Sequence, residues 1–124
     1  MKQAVIATIA MFIGSSDCWG SSNRISGNFN RLKGDWNSIK GSGNDIWGSN
    51  NGVWGNQNGI NGFSNGVFGN RNGIKGNFNG VVGNDNAVFG HANGVFGNGN
   101  RLAGHANFIN GDYNRIHGFG NQIW

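Results

Sequence analysis

Across residues 20–124 the chain repeats a single seven-residue unit, Gly-x-x-Asn-x-[Val/Ile/Leu]-x, with no insertion or deletion. These 105 residues make fifteen units, and all three fixed columns are filled in every one. Glycine recurs from Gly20 and Gly27 to Gly118, asparagine from Asn23 and Asn30 to Asn121, and the aliphatic from Ile25 and Leu32 to Ile123. A period this strict means that each unit takes the same step and stacks on its neighbours, so it constrains the architecture before any single residue does.

Seven suggests a coiled coil first, but a coil needs two apolar positions per heptad with helix formers between them. This unit has one apolar position, with Asn and Gly beside it. Gly in a helix interior costs about 1 kcal/mol and Asn is a poor helix former, so fifteen of each exclude the helix. The run Asn-x-Val-x alternates with period two, which places Asn and the aliphatic on one side of a short strand and the variable residues on the other. Gly follows where the chain must turn, because it reaches positive φ without a Cβ clash. Each unit is then a strand plus a corner.

The residue after each Gly sets the number of units per coil. In alternate units it reads Asn28, Ser42, Asn56, Asn70, Asn84, Asn98, Asp112, and then Ser21, Asp35, Ser49, Phe63, Asn77, His91, His105, Phe119. Five of the first seven are Asn against one of the second eight, and grouping by threes gives no such sorting. Identical residues stacked coil over coil form ladders, so the sorting predicts two units, about 14 residues, per coil. The expected fold is all-β, a flattened two-faced β-solenoid (a β-roll or β-helix) of about seven and a half coils, roughly 35 Å long at ~4.8 Å per coil. Val, Ile and Leu would fill a thin core, and every Asn amide would need partners, because a buried amide without them is costly. The absence of Pro fits a fold in which nearly every backbone N–H bonds the next coil.

The first residues depart from the repeat. Lys2, the apolar run 4–13 and then Gly14-Ser15-Ser16 have the layout of a signal peptide: a positive start, about ten apolar residues and small residues before a cut near Ser16/Asp17. The run is too short to span a bilayer. Residues 1–16 are read as a signal peptide and 17–124 as the solenoid, which makes the mature protein secreted and extracellular; the competing reading of residues 1–16 is a cap over the first coil. Cys18, the only cysteine, falls in the aliphatic position of an imperfect preceding unit. It is expected as a buried free thiol, with no disulfide or metal role.

Beyond residue 16 there are eight Lys/Arg, five Asp and no Glu. That mild positive balance lacks the dense Lys/Arg clustering of a nucleic-acid binder, so no nucleic acid is expected, nor is a membrane surface. His91 and His105 share a column one coil apart but have no third ligand there, and His117 stands alone. Asp35, Asp45, Asp85 and Asp112 are scattered over both sets of units, so no metal site, carboxylate pair or triad assembles. The Gly-x-Gly strings are by-products of the repeat without the strand-to-helix context of a nucleotide loop. The reading is of a protein that is not an enzyme, with no metal and no cofactor.

A 14-residue circuit sorts the outward side chains onto two unlike faces. One reads Gly52/Trp54, Gly66/Phe68, Gly80/Val82 and Gly94/Phe96 in successive coils, an apolar row beside a Gly strip. The other reads Asp45/Trp47, Gly59/Asn61, Gly73/Lys75, Ala87/Phe89 and Arg101/Ala103, and its units carry six of the eight basic residues. An exposed apolar strip of four coils is large enough for a binding or assembly surface. The Gly strip points the same way, since Gly is unfavourable in strands and yet recurs there.

Started elsewhere, the unit is x-x-Asn-x-Val-x-Gly, as in Asn51-Gly52-Val53-Trp54-Gly55 and Asn93-Gly94-Val95-Phe96-Gly97. This resembles the repeat of the grass antifreeze and ice-recrystallisation-inhibition proteins, over all fifteen units. The resemblance implies a secreted β-roll of about fourteen residues per coil, with inward Asn and Val columns and a flat face that binds ice. Where that family has Thr and Ser beside Val, this chain has Gly, Phe, Trp, Lys and Arg, and its only Thr is Thr8. The expected partner is ice or another repetitive solid surface, held by Gly52, Trp54, Gly66, Phe68, Gly80, Val82, Gly94 and Phe96. Two alternatives stand beside it. One is a structural protein that self-associates end to end through the strand edge left by a last unit ending on Trp124. The other is a polysaccharide binder that stacks sugar rings on the aromatic row.

Overall fold

The computed structural model describes residues 16–124, in which the chain forms only short strands and corners. Sheet 1 contains β1 (Asp17–Trp19), β3 (Arg31–Lys33), β5 (Asp45–Trp47), β7 (Gly59–Asn61), β9 (Gly73–Lys75), β11 (Ala87–His91), β13 (Arg101–His105) and β15 (Arg115–Phe119). Sheet 2 contains β2 (Arg24–Ser26), β4 (Ser38–Lys40), β6 (Gly52–Trp54), β8 (Gly66–Phe68), β10 (Gly80–Val82), β12 (Gly94–Phe96), β14 (Phe108–Asn110) and β16 (Gln122–Ile123). Every pairing is parallel and joins residues fourteen apart, as in Val53↔Val67 and Ile60↔Ile74. The chain thus alternates between two eight-stranded sheets, two units to the coil, as the column after Gly predicts.

Eight coils form rather than seven and a half, because the imperfect unit before Gly20 supplies the missing half. Cys18 lies opposite Leu32, and Ser16 stands in the Asn column, its Oγ accepting the Asn30 N–H at 3.2 Å. The Cys18 thiol is half-buried rather than buried, packed against the end of the core. Burial pushes its pKa up, against a weaker lowering by the Asn23 amide. The signal-peptide reading falls on residues 1–15, outside the described residues, and on Ser16.

The interior is two side chains deep. Leu32, Ile46 and Ile60 onward stack under sheet 1 and Ile39, Val53 and Val67 onward under sheet 2, two files of aliphatics packed into one core, none more than 3% exposed. Beside each runs an Asn file, one through Asn23, Asn37 and Asn51 and the other through Asn30, Asn44 and Asn58, buried from Asn23 to Asn107. Asn58 shows how these amides are satisfied. Its Nδ2 donates to Asn44 Oδ1 one coil back (3.1 Å) and to the Gly69 carbonyl one coil ahead (2.8 Å), while its Oδ1 accepts the N–H and Nδ2–H of Asn72. The ladder closes at every step, and among the described residues no buried side-chain nitrogen or oxygen lacks a partner.

At the corners the repeated Gly has φ between 124° and 151°. A Cβ on Gly62 would collide with the carbonyl oxygen of Gly76 in the next coil, so coil spacing as well as φ demands glycine there. Two residues later lies a second positive-φ position that the repeat does not announce. It is held by twelve non-glycine residues, among them Phe29, Trp36, Phe78 and Tyr113, at φ near 57°. A left-handed L-residue costs roughly 1–2 kcal/mol. The tight stacking of coils enforces it: Phe78 N–H bonds the Phe63 carbonyl at 3.0 Å, and Trp36 and Tyr113 repeat that bond to Ser21 and Asn98.

The column after Gly forms an outer ladder on both corners, not only on the Asn-rich one. Asn56 N–H and Nδ2 both donate to Asn70 Oδ1, and this pattern continues to Asp112. On the other corner the acceptors are mixed: Asp35 serves Ser21, Ser49 serves Asp35, and Asn77 serves Phe63. Apart from Phe63 and Phe119, what the column selects is a side-chain acceptor rather than one residue type.

Candidate functional site

The outward columns of sheet 2 place the eight residues singled out from the sequence side by side. Gly52, Gly66, Gly80 and Gly94 are in register, and so are Trp54, Phe68, Val82 and Phe96. The four residues are 51%, 47%, 42% and 45% exposed, so the row is about half sunk into the surface. Trp54 and Phe68 meet edge to face at 5.2 Å, a favoured aromatic geometry. Lys40 Nζ sits 5.3 Å from the Trp54 ring and closes the row at one end.

Three of the four glycines of this face have no steric reason to be glycine. A Cβ on Gly52, Gly66 or Gly80 would meet no heavy atom within 4 Å, and none of the three has positive φ. Gly80, beside Val82, is exposed, whereas Gly52, Gly66 and Gly94, beside Trp54, Phe68 and Phe96, are half-buried. The strip is thus partly shaded by its aromatic neighbours rather than bare. Gly94 is the exception in spacing, for Phe108 of the next coil lies 3.1 Å from where its Cβ would be. Phe108 enters the Gly column and links Phe96 to Trp124, at 5.7 and 5.4 Å between rings. This aromatic extension was missed because Phe108 interrupts the Gly pattern that defined the strip.

Sheet 1 is mixed, with the exposed aromatics Trp19, Trp47 and Phe89 set among charged residues. Its outward columns carry Arg31, Lys33, Lys75, Arg101 and Arg115 against Asp17 and Asp45. Arg71, grouped with this face from the sequence, instead sits in a corner, where its guanidinium holds both carboxylate oxygens of Asp85 at 2.7 and 2.8 Å. That pairing raises the Arg71 pKa and lowers that of Asp85, in each case chiefly through the side-chain hydrogen bond.

His91 and His105 stack as a structural ladder. Their rings are 4.9 Å apart and 10° from parallel, and Phe119 continues the stack at 5.3 Å. Nδ1 of His91 accepts the Asn77 N–H and Nδ1 of His105 accepts the His91 N–H, both at 3.1 Å. One nitrogen of each ring is therefore committed to the backbone, and the stack carries sheet 1 around the corner, where β11, β13 and β15 each run five residues instead of three. Among the described residues no three His, Cys, Asp or Glu side chains converge on a point that could hold a metal.

Fold and faces together define a class: a parallel β-solenoid of two heptads per coil, stitched by two inner asparagine ladders and presenting an in-register apolar row on one face. The family model described as grass antifreeze beta roll matches residues 14–104. The chain belongs to that family, as its repeat implied. No curated protein and no solved structure matches it.

Proposed function

We propose that this is a secreted, non-enzymatic ice-binding protein that acts through the outward face of sheet 2. The observation that carries the reading is the pair of in-register columns Gly52, Gly66, Gly80, Gly94 and Trp54, Phe68, Val82, Phe96. Glycine is retained there although its Cβ space is open at the first three positions and although Gly disfavours strands. A strip that has room for side chains and carries none leaves the face flat.

A flat apolar surface restricts the orientation of its first water layer. Here the restriction repeats at the coil spacing of about 4.8 Å, so the water over this face is held as a lattice rather than as a random shell. Adsorption of that layer to an ice surface would block crystal growth. Membership of an antifreeze family supports the ligand, and the apolar run in residues 4–13 supports secretion.

The test is an ice-recrystallisation assay on the wild-type protein and on a variant with Gly66→Lys and Gly80→Lys. Both glycines have open Cβ space, so the variant should keep its fold by circular dichroism while losing inhibition. Normal crystal growth in micromolar wild-type protein would sink the reading. Full inhibition by the double variant would leave ice binding standing and remove it from this face.

A further inference from the structure

Sheet 1 also has open glycines, but they are arranged differently. Gly59 and Gly73 follow one another in its first outward column, with no heavy atom within 4 Å of a built Cβ and no positive φ. Asp45 precedes them and Ala87 and Arg101 follow. Where the sheet 2 strip is continuous over four coils, this one is a two-coil gap between side chains. It forms a recess of about 450 Å³, open to solvent and lined by Asp45, Trp47, Asn61, Lys75 and Phe89 over the two glycines. Its size lies within the range of small-ligand sites, about 300–1,000 Å³.

One wall of this recess is braced. The Trp47 indole N–H donates to Asp45 Oδ1 at 3.0 Å, which ties the ring across the face from the second outward column to the first. From the coil below, Lys33 Nζ lies 5.5 Å from the Trp47 ring and Arg31 reaches the other Asp45 oxygen at 3.6 Å. Both supports come from the side away from the recess, so the indole face toward Asn61 is left for a ligand. Phe89 forms the far wall, three coils on, about 14 Å away at ~4.8 Å per coil. Between the walls stand an amide, Asn61, and a cation, Lys75, which has no acidic partner among the described residues.

We propose that this recess binds a short stretch of acidic polysaccharide, a chain of pyranose rings that bear carboxylates. A sugar ring has an apolar face to lie on the indole and hydroxyls to meet Asn61 and the Asp45 carboxylate, and a uronate group would pair with Lys75. The five cations against two carboxylates on this face attract a polyanion. A nucleic acid fits less well, since Asn61 and Asp45 match the hydroxyls of a sugar ring and the one cation in the recess, Lys75, meets a single anionic group rather than a run of phosphates. The site is on the face opposite the proposed ice-binding surface and does not depend on that reading.

The test is a titration of the folded chain with oligogalacturonate, followed by NMR at the Trp47 indole N–H, with neutral cello-oligosaccharide and a single-stranded oligonucleotide as parallel arms. Expected is saturable binding of the acidic sugar at about 1 mM or tighter, with the neutral sugar at least about tenfold weaker. Gly59→Val with Gly73→Val fills the recess at positions where a side chain meets nothing, so this variant should fold, keep its ice activity and lose sugar binding by at least about tenfold. Lys75→Ala should bring the acidic sugar down to the neutral one. The proposal is overturned by no saturable binding, by equal binding of neutral and acidic sugar, by tighter binding of the oligonucleotide, or by unchanged sugar binding in the glycine double variant.

Discussion

Gly62 and Gly66 are four residues apart and play opposite parts. Gly62, at a corner, has φ of 147° and would drive a Cβ into the carbonyl of the coil above; Gly66, on the face of sheet 2, would add one into open water. The first glycine is demanded by the fold and the second is not. The same residue type thus carries structural information in one column and surface information in another, and only the packing of coil on coil separates the two.

That contrast is broken or sharpened first by the pair Gly62→Ala and Gly66→Ala. The corner substitution combines a disfavoured backbone with an overpacked contact, at a cost of about 4 kcal/mol or more. Since each coil contacts only its neighbours, damage should be local, with melting separated into two stages at that coil. Gly66→Ala should leave stability unchanged or raise it by up to about 1 kcal/mol. Urea melts of the two variants measure both, and similar losses would mean that the face glycines are structural after all.

The next effect compares an inner asparagine ladder with the outer one. Asn58 and Asn56 make nearly the same bonds to residues fourteen away, but Asn58 is buried and Asn56 exposed. Asn58→Ala leaves the Asn72 N–H and the Gly69 carbonyl without their partner inside the core, at about 3 kcal/mol. Asn56→Ala exposes its former partners to water and should cost about 1 kcal/mol or less. Equal losses in thermal melts would show that ladder order, rather than burial, sets the energy.

Much of this architecture was legible in the chain. Asn and aliphatic at i and i+2 fixed which side of each strand faces inward, and the residue after Gly gave two units per coil, because column chemistry is dictated by the neighbour directly above. The mixed ladder at Asp35, Ser49 and Asn77 was harder to read, since hydrogen-bond acceptance is shared by residues that look unlike. The left-handed column was not legible at all: Phe29, Trp36 and Phe78 have no preference for φ near 57° and are held there by bonds to the adjacent coil. On the surface, the apolar columns of sheet 2 could be read from spacing alone. The recess of sheet 1 could not, because its wall depends on Trp47 lying across the face to Asp45.

The left-handed column supplies a smaller test of the same contrast. Phe78 is 66% exposed, so little packing offsets its backbone cost. Phe78→Gly should raise stability by about 1 kcal/mol, a few degrees in the melting temperature. A fall would mean that the Phe78 ring contributes more to the corner than its exposure suggests.

The smallest effect belongs to Arg71 and Asp85, an ion pair that bridges neighbouring coils from outside rather than from within. Arg71 holds the Asp85 pKa below the ordinary aspartate value. Whatever stability the pair adds is therefore fully present above about pH 4, the unfolded aspartate value, and is lost as pH falls through the lower folded one. On the basic side the raised Arg71 pKa keeps the guanidinium charged throughout the working range. Both groups are solvated and screened, so Arg71→Ala should change the melting temperature only slightly at neutral pH. The informative measurement is the difference between wild type and variant as pH is lowered: it should shrink toward zero in acid. A difference that persists to about pH 2 would assign the effect to the packing of the Arg71 side chain at its left-handed corner position and not to the charge pair.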